Sequence, residues 1–148
     1  MKKFLVKAKK NTYASFWKVG GKILKDGSKE FLFKENDFIY RDRYFGSKRF
    51  IGEEIVFKNE QAVWAMNYYG GMLSEDISSK NTYSFLKKAL MQVSIERPFR
   101  GSEFFEEGDF LYKDKSVGDV DDFSGTEEIF YKGNKVYELK YHGGFVVK

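Results

Sequence analysis

The amino-acid sequence predicts an α+β domain spanning residues 1–148, built from two pseudo-symmetric helix-plus-antiparallel-meander repeats that form one curved sheet. Three observations predict it. Glu30-Phe31-Leu32-Phe33-Lys34-Glu35-Asn36-Asp37-Phe38-Ile39-Tyr40-Arg41-Asp42 recurs, with one gap, as Glu103-Phe104-Phe105-Glu106-Glu107-Gly108-Asp109-Phe110-Leu111-Tyr112-Lys113-Asp114. Glu53-Glu54-Ile55 recurs as Glu127-Glu128-Ile129, and Asn67-Tyr68-Tyr69-Gly70-Gly71 as Lys140-Tyr141-His142-Gly143-Gly144. Links between the strand-like runs are short, which favours antiparallel pairing over a parallel sheet. Repeat one covers about residues 1–72 and repeat two about 81–145.

Each repeat opens with a helical pattern. Phe4, Leu5 and Ala8 recur at helical spacing among lysines, and Phe85, Leu86, Ala89, Leu90 and Val93 form an apolar stripe. Asn81 or Thr82 is the expected cap of the second helix. Connectors ending in Gly27-Ser28 and Gly101-Ser102 follow, the second holding the only proline, Pro98. Strands are then expected at 30–34, 37–45, 49–57 and 61–69, and again at 103–106, 109–115, 126–131 and 135–142. Lys58-Asn59-Glu60 and Lys132-Gly133-Asn134 read as hairpin turns, and Gly70-Gly71 and Gly143-Gly144 as the ends of the meanders.

Composition limits the function classes. Hydrophobic residues make up 42% and aromatics 19%, so ring packing dominates the expected core. Cysteine is absent, which removes disulfides, thiolate nucleophiles and cysteine-based zinc sites. One histidine, His142, cannot build a multi-histidine metal site. No apolar run approaches the roughly 20 residues that span a bilayer, so the expectation is a soluble, cytoplasmic protein without cofactor or metal. The net charge of +4 is compatible with nucleic-acid contact without requiring it.

Side chains alternate across a strand. In the last strand of each repeat, Trp64, Met66 and Tyr68 match Tyr137, Leu139 and Tyr141, and this face is expected to meet the helices. In an earlier strand Tyr40 and Asp42 share a face, as do Tyr112 and Asp114, so a carboxylate follows aromatic residues in both copies. Such a carboxylate needs a partner. The Glu53-Glu54 and Glu127-Glu128 pairs read first as sheet-edge charge; because neighbouring strand residues point to opposite faces, the alternative is that one glutamate of each pair faces a pocket. No nucleophile-elbow pattern accompanies His142, and its counterpart in the repeat is Tyr69, so the position tolerates a non-basic ring.

The run Asp37-Phe38-Ile39-Tyr40-Arg41-Asp42-Arg43-Tyr44-Phe45-Gly46, then Phe50-Ile51-Gly52-Glu53-Glu54 and Trp64-Ala65-Met66-Asn67-Tyr68-Tyr69-Gly70, resembles an uncharacterised bacterial domain-of-unknown-function family. Glu127-Glu128-Ile129-Phe130-Tyr131-Lys132-Gly133 and Tyr141-His142-Gly143-Gly144 carry the same resemblance. That family occurs alone or C-terminal to XRE-type helix-turn-helix regulators, which implies sensing or interaction more than catalysis. The stretch before Glu30 is too short for a helix-turn-helix bundle, so DNA binding of that kind is not expected.

The expected function is a non-enzymatic binding or sensor module for a small ligand or protein partner, using an aromatic groove between the repeats. Its residues are Tyr40, Arg41, Asp42, Tyr44, Trp64, Tyr68, Tyr112, Asp114, Tyr137 and Tyr141. Rings with polar handles suit small organic ligands, and the arginines and aspartates supply charge at the rim. Two alternatives stay open: a carboxylate-based hydrolase in which Asp42 and Asp114, or one of the glutamates, meet in a cleft, and a basic nucleic-acid-associated or inhibitor protein.

Overall fold

The computed structural model describes residues 1–12, 14 and 21–147. Its elements are α1 (Lys2–Lys10), β1 (Lys22–Ile23), β2 (Lys29–Glu35), β3 (Phe38–Gly46), β4 (Arg49–Lys58), β5 (Gln61–Met72), α2 (Ser79–Leu90), β6 (Phe104–Glu107), β7 (Phe110–Asp119), β8 (Asp122–Tyr131) and β9 (Asn134–Phe145). The nine strands form one antiparallel sheet in the order β1-β2-β3-β4-β5-β9-β8-β7-β6.

This corrects the expected architecture. Two helix-plus-meander units do not form. Among the described residues one large sheet takes in strands from both halves, and the two helices are short, nine and twelve residues long. The cause is the seam between β5 and β9, which pair from Trp64↔Phe145 to Met72↔Tyr137 and merge the final strands into the middle of a common sheet. The term α+β holds only in that two helices lie on a mostly β structure.

Local chemistry explains the elements. Two-residue turns need positive φ, and Asn59 and Glu60 (48° and 64°) supply it between β4 and β5, as Lys132 and Gly133 (47° and 81°) do between β8 and β9. The Ser78 side chain caps α2 by accepting from the Asn81 backbone N–H, in place of the expected Asn81 or Thr82. Gly70-Gly71 and Gly143-Gly144 do not end their strands. The neighbouring strand's backbone lies where a Cβ at Gly70 or Gly143 would stand, so glycine lets β5 and β9 close on each other.

The helices cover one face. Phe4 of α1 packs on Phe33 and Phe38, and Phe85 of α2 stacks on Phe105 and Phe110. Beneath them lie Tyr40, Val56, Trp64, Met66, Tyr112, Ile129, Tyr137 and Leu139, all buried. Val56, Met66, Ile129 and Leu139 each contribute about 1.5–3 kcal/mol through burial. Among the described residues, the opposite face of the central strands is left open, with Ile51 and Tyr69 exposed on it.

Candidate ligand-binding site

A row of buried charges runs under the helices. β3 and β4 set Asp42 beside Glu54, and β7 and β8 set Asp114 beside Glu127, as cross-strand partners. All four carboxylates are buried. Carboxylates removed from water need cations or strong donors, and here the two ends of the row differ.

At the C-terminal end every carboxylate is saturated. Arg100 grips Glu127 through Nε (3.0 Å) and Nη2 (2.9 Å), while the Tyr112 and Tyr137 hydroxyls donate to it at 2.7 Å each. Arg97 Nη2 donates to the Asp114 carboxylate at 3.0 Å and to the Asp114 carbonyl at 2.8 Å, and the Tyr141 hydroxyl donates to Oδ1 at 2.9 Å. Burial, then Glu127, push Asp114 up to about 6, with Tyr141 and Arg97 opposing.

The N-terminal end is less complete. Lys9 of α1, fully buried, pairs with Glu54 Oε2 and donates to the Phe99 carbonyl at 2.7 Å. Burial lowers the Lys9 ammonium despite Glu54. Glu54 Oε1 has no hydrogen-bond partner, and Arg100 Nη1 stands 4.0 Å from it. Asp42 accepts from the Tyr68 hydroxyl at 2.5 Å. Burial, then Glu54, raise Asp42 to about 7, and the Tyr68 hydrogen bond offsets this only in part. Tyr68 is itself raised well above the usual tyrosine range by burial and then by Asp42.

Two glycines make these tyrosine–aspartate bonds feasible. Tyr68 and Tyr141 are cross-strand partners at the seam. A Cβ at Gly52 or Gly125 would meet the Tyr68 or Tyr141 hydroxyl, so only a bare backbone on β4 or β8 lets each phenol cross to its aspartate.

Beside Asp42 the structure opens. A pocket of about 500 Å³ lies between α2 and strands β2 to β4. Phe31, Tyr44, Phe50, Tyr68, Tyr83, Leu86 and Leu90 wall it, and Asp42 and Arg100 reach it from below. Burial pushes the Tyr83 phenol up to about 12. The volume falls within the range of small-ligand sites, which are apolar concavities with few convergent polar groups.

A second concavity of about 1160 Å³ crosses the open face of the sheet at the seam. One cross-strand row there reads Arg43, Glu53, Asn67, His142, Ser124, Val117, and the next Phe45, Ile51, Tyr69, Lys140, Thr126, Lys115.

The ten expected site residues separate. Asp42, Tyr44 and Tyr68 come together in the pocket. Tyr40, Trp64, Tyr112 and Tyr137 are core, with the Trp64 indole donating to the Val120 carbonyl at 3.0 Å. Asp114 and Tyr141 belong to the saturated end. Arg41 lies on the opposite face, 3.1 Å from Glu53 and over the Phe57 ring. The reading of Glu54 and Glu127 as edge charge is overturned, because β4 and β8 are interior strands and both side chains are fully buried. Lys9, Arg97, Arg100, Phe50 and Tyr83 were not expected. A signal for Lys9 existed: Phe4-Leu5-x-x-Ala8-Lys9 repeats the spacing of Phe85-Leu86-x-x-Ala89-Leu90, which puts Lys9 where α2 carries a buried leucine.

Among the described residues, no group of three or more His, Asp or Glu side chains could hold a metal ion, and no helix is long and apolar enough to cross a membrane. The family model described as "Domain of unknown function (DUF5680)" matches residues 42–146. The chain belongs to this family. The DUF5680 match takes in Asp42, Glu54, Arg97, Arg100, Asp114 and Glu127, and leaves out Lys9 and α1. Comparison with curated proteins and comparison with solved structures each gave no match.

Proposed function

We propose that this chain is a non-enzymatic binding module for a small organic ligand, held in the pocket between α2 and strands β2 to β4. The observation that carries this reading is the Asp42–Tyr68 pair opening onto a wall of aromatic and leucine side chains. The rings provide flat apolar surface and the pair provides orientation. A sensing role in the cytoplasm, alone or in a bacterial regulator, belongs to the same proposal. A thermal-shift screen of metabolites and nucleotides tests it. A binder raises the melting temperature in proportion to the logarithm of its concentration over Kd, and Leu86→Trp, which fills the pocket, abolishes the shift. A screen with no hit, or hits indifferent to Leu86→Trp, rejects it.

The open face favours a second reading, an extended or protein partner. Phe45, Ile51 and Tyr69 line one end of a row whose other end carries Lys140 and Lys115, an apolar-to-cationic gradient. Binding there weakens with salt. An Asp42–Asp114 hydrolase is disfavoured, because β4, β5, β9 and β8 stand between the strands bearing the two aspartates; the carboxyl neighbours that do meet are Asp42 with Glu54 and Asp114 with Glu127.

A further inference from the structure

We infer that the ligand of this pocket carries a cationic group, an ammonium or guanidinium, that pairs with the Asp42 carboxylate. This rests on the pocket reading above and names the chemistry of the occupant.

The molecule contains its own comparison. Asp42 and Asp114 each stand beside a buried glutamate and each accept from a tyrosine of the seam. Asp114 also holds the Arg97 guanidinium. Counting back from the two Gly-Ser pairs, the sequence place of Arg97 is taken in the N-terminal half by Ile23. Ile23 is 75% exposed and lines the pocket that Asp42 faces. Among the described residues no cationic side chain is within ion-pair distance of Asp42. Lys9 is committed to Glu54 and the Phe99 carbonyl, and the Arg100 fork to Glu127. Three cations, Lys9, Arg97 and Arg100, thus serve four carboxylates, Asp42, Glu54, Asp114 and Glu127, and the carboxylate without its own cation is the one on the cavity.

The wall suits the same chemistry. Cations are attracted to aromatic faces, and two already rest on rings of this pocket: Arg100 over Tyr68 at 5.7 Å and Lys29 over Phe31 at 5.4 Å. The charged and titratable groups around Asp42 are Tyr44 on β3, Glu54 on β4, Tyr68 on β5, Lys9 on α1 and Arg100 after α2. Lys29 on β2 and Tyr83 and Lys87 on α2 complete the pocket lining. A cation binds the ionised form of Asp42, so binding releases a proton where Asp42 is still protonated, below about pH 7.

The experiment compares three probes of one shape on the full chain: 2-phenylethylammonium, 2-phenylethanol and 3-phenylpropanoate. Titration followed by NMR locates each through the Tyr44 and Tyr83 signals. At roughly pH 8 the ammonium is expected to bind at least about tenfold more tightly than either other probe. Its apparent Kd should weaken by up to about tenfold per unit as pH falls below 7. Asp42→Asn should reduce it to the level of the alcohol. If the alcohol or the carboxylate binds as well or better at the same signals, or if Asp42→Asn leaves the ammonium unaffected, the cation inference fails and the pocket reading survives. If no probe moves those signals at millimolar concentration, both fail. Should Asp42→Asn not fold, the wild-type pH series decides: a Kd that stays flat between roughly pH 5.5 and 8 overturns the inference.

Discussion

Glu54 and Glu127 are buried to the same depth on matching strands, yet they are neutralised by different chemistry. Glu127 is held by an arginine fork and two phenols, and Glu54 by a lysine from α1. Guanidinium stays charged in any protein environment, whereas an ammonium loses its proton when burial demands it. The cations of the C-terminal end, Arg97 and Arg100, are therefore permanently charged. The N-terminal end is adjustable, with a lowered Lys9, a raised Asp42 and a cavity alongside. Asp114 is raised as well, to about 6, so the difference between the ends lies in the kind of cation each holds and in the cavity beside Asp42.

Breaking each end separately gives the largest contrast. Glu127→Ala strands the buried Arg100 charge and is expected to cost about 3–5 kcal/mol. Glu54→Ala leaves Lys9, which can shed its proton, and is expected to cost less by at least about 1 kcal/mol. Urea denaturation of the two variants checks the order. Equal costs would remove the distinction between fixed and adjustable ends.

The next effect is on pH. Asp42 has an ordinary carboxylate value of 3.8 when unfolded and about 7 when folded, so the folded state holds more protons across that window. The associated stability is fully present below about pH 4 and is lost as pH rises through 7. Asp114, raised to about 6, adds a smaller effect of the same sign. The urea midpoint should fall between pH 4 and 7 more steeply in the wild type than in Asp42→Asn. Identical slopes would show that Asp42 does not carry the change.

Arg97→Met sharpens the comparison by making Asp114 resemble Asp42. Without its guanidinium, the Asp114 carboxyl should titrate above 6, readable by carbon NMR of the side-chain carboxyl. An unmoved value would mean that Arg97 is irrelevant to the difference between the ends. The smallest effect belongs to the opposite face. Arg41→Ala removes a partly exposed pair with Glu53 and should change stability by less than about 1 kcal/mol.

Local structure was legible where local chemistry writes it. The alternation of Trp64, Met66 and Tyr68 against Val63, Ala65 and Asn67 marked the buried face, and Asn59 and Gly133 marked the hairpins. The β5–β9 seam was not legible, because residues near 65 and 144 share no short-range pattern. β1 was missed because it is only Lys22–Ile23, both exposed. For the site, the recurrence of Asp42 and Asp114 on aromatic faces pointed to the charge row. Single-strand periodicity could not tell which aspartate would acquire an arginine, since Arg97 lies outside the strands, in the connector after α2. Tyr40, Tyr112 and Tyr137 looked like ligand handles because of their hydroxyls. Two of those hydroxyls are used on Glu127, itself mistaken for edge charge.

The seam also sets an order of events during synthesis. β9 comes last among the strands yet sits in the middle of the sheet, beside a β5 made more than sixty residues earlier. At roughly 5–20 residues per second, the emerging polypeptide carries β5 with one hydrogen-bonding edge bare for on the order of 3–13 s. During that interval the bare edge is a template for stray pairing with other nascent chains. Slower synthesis lengthens that exposure, so the yield of native protein should fall as translation slows.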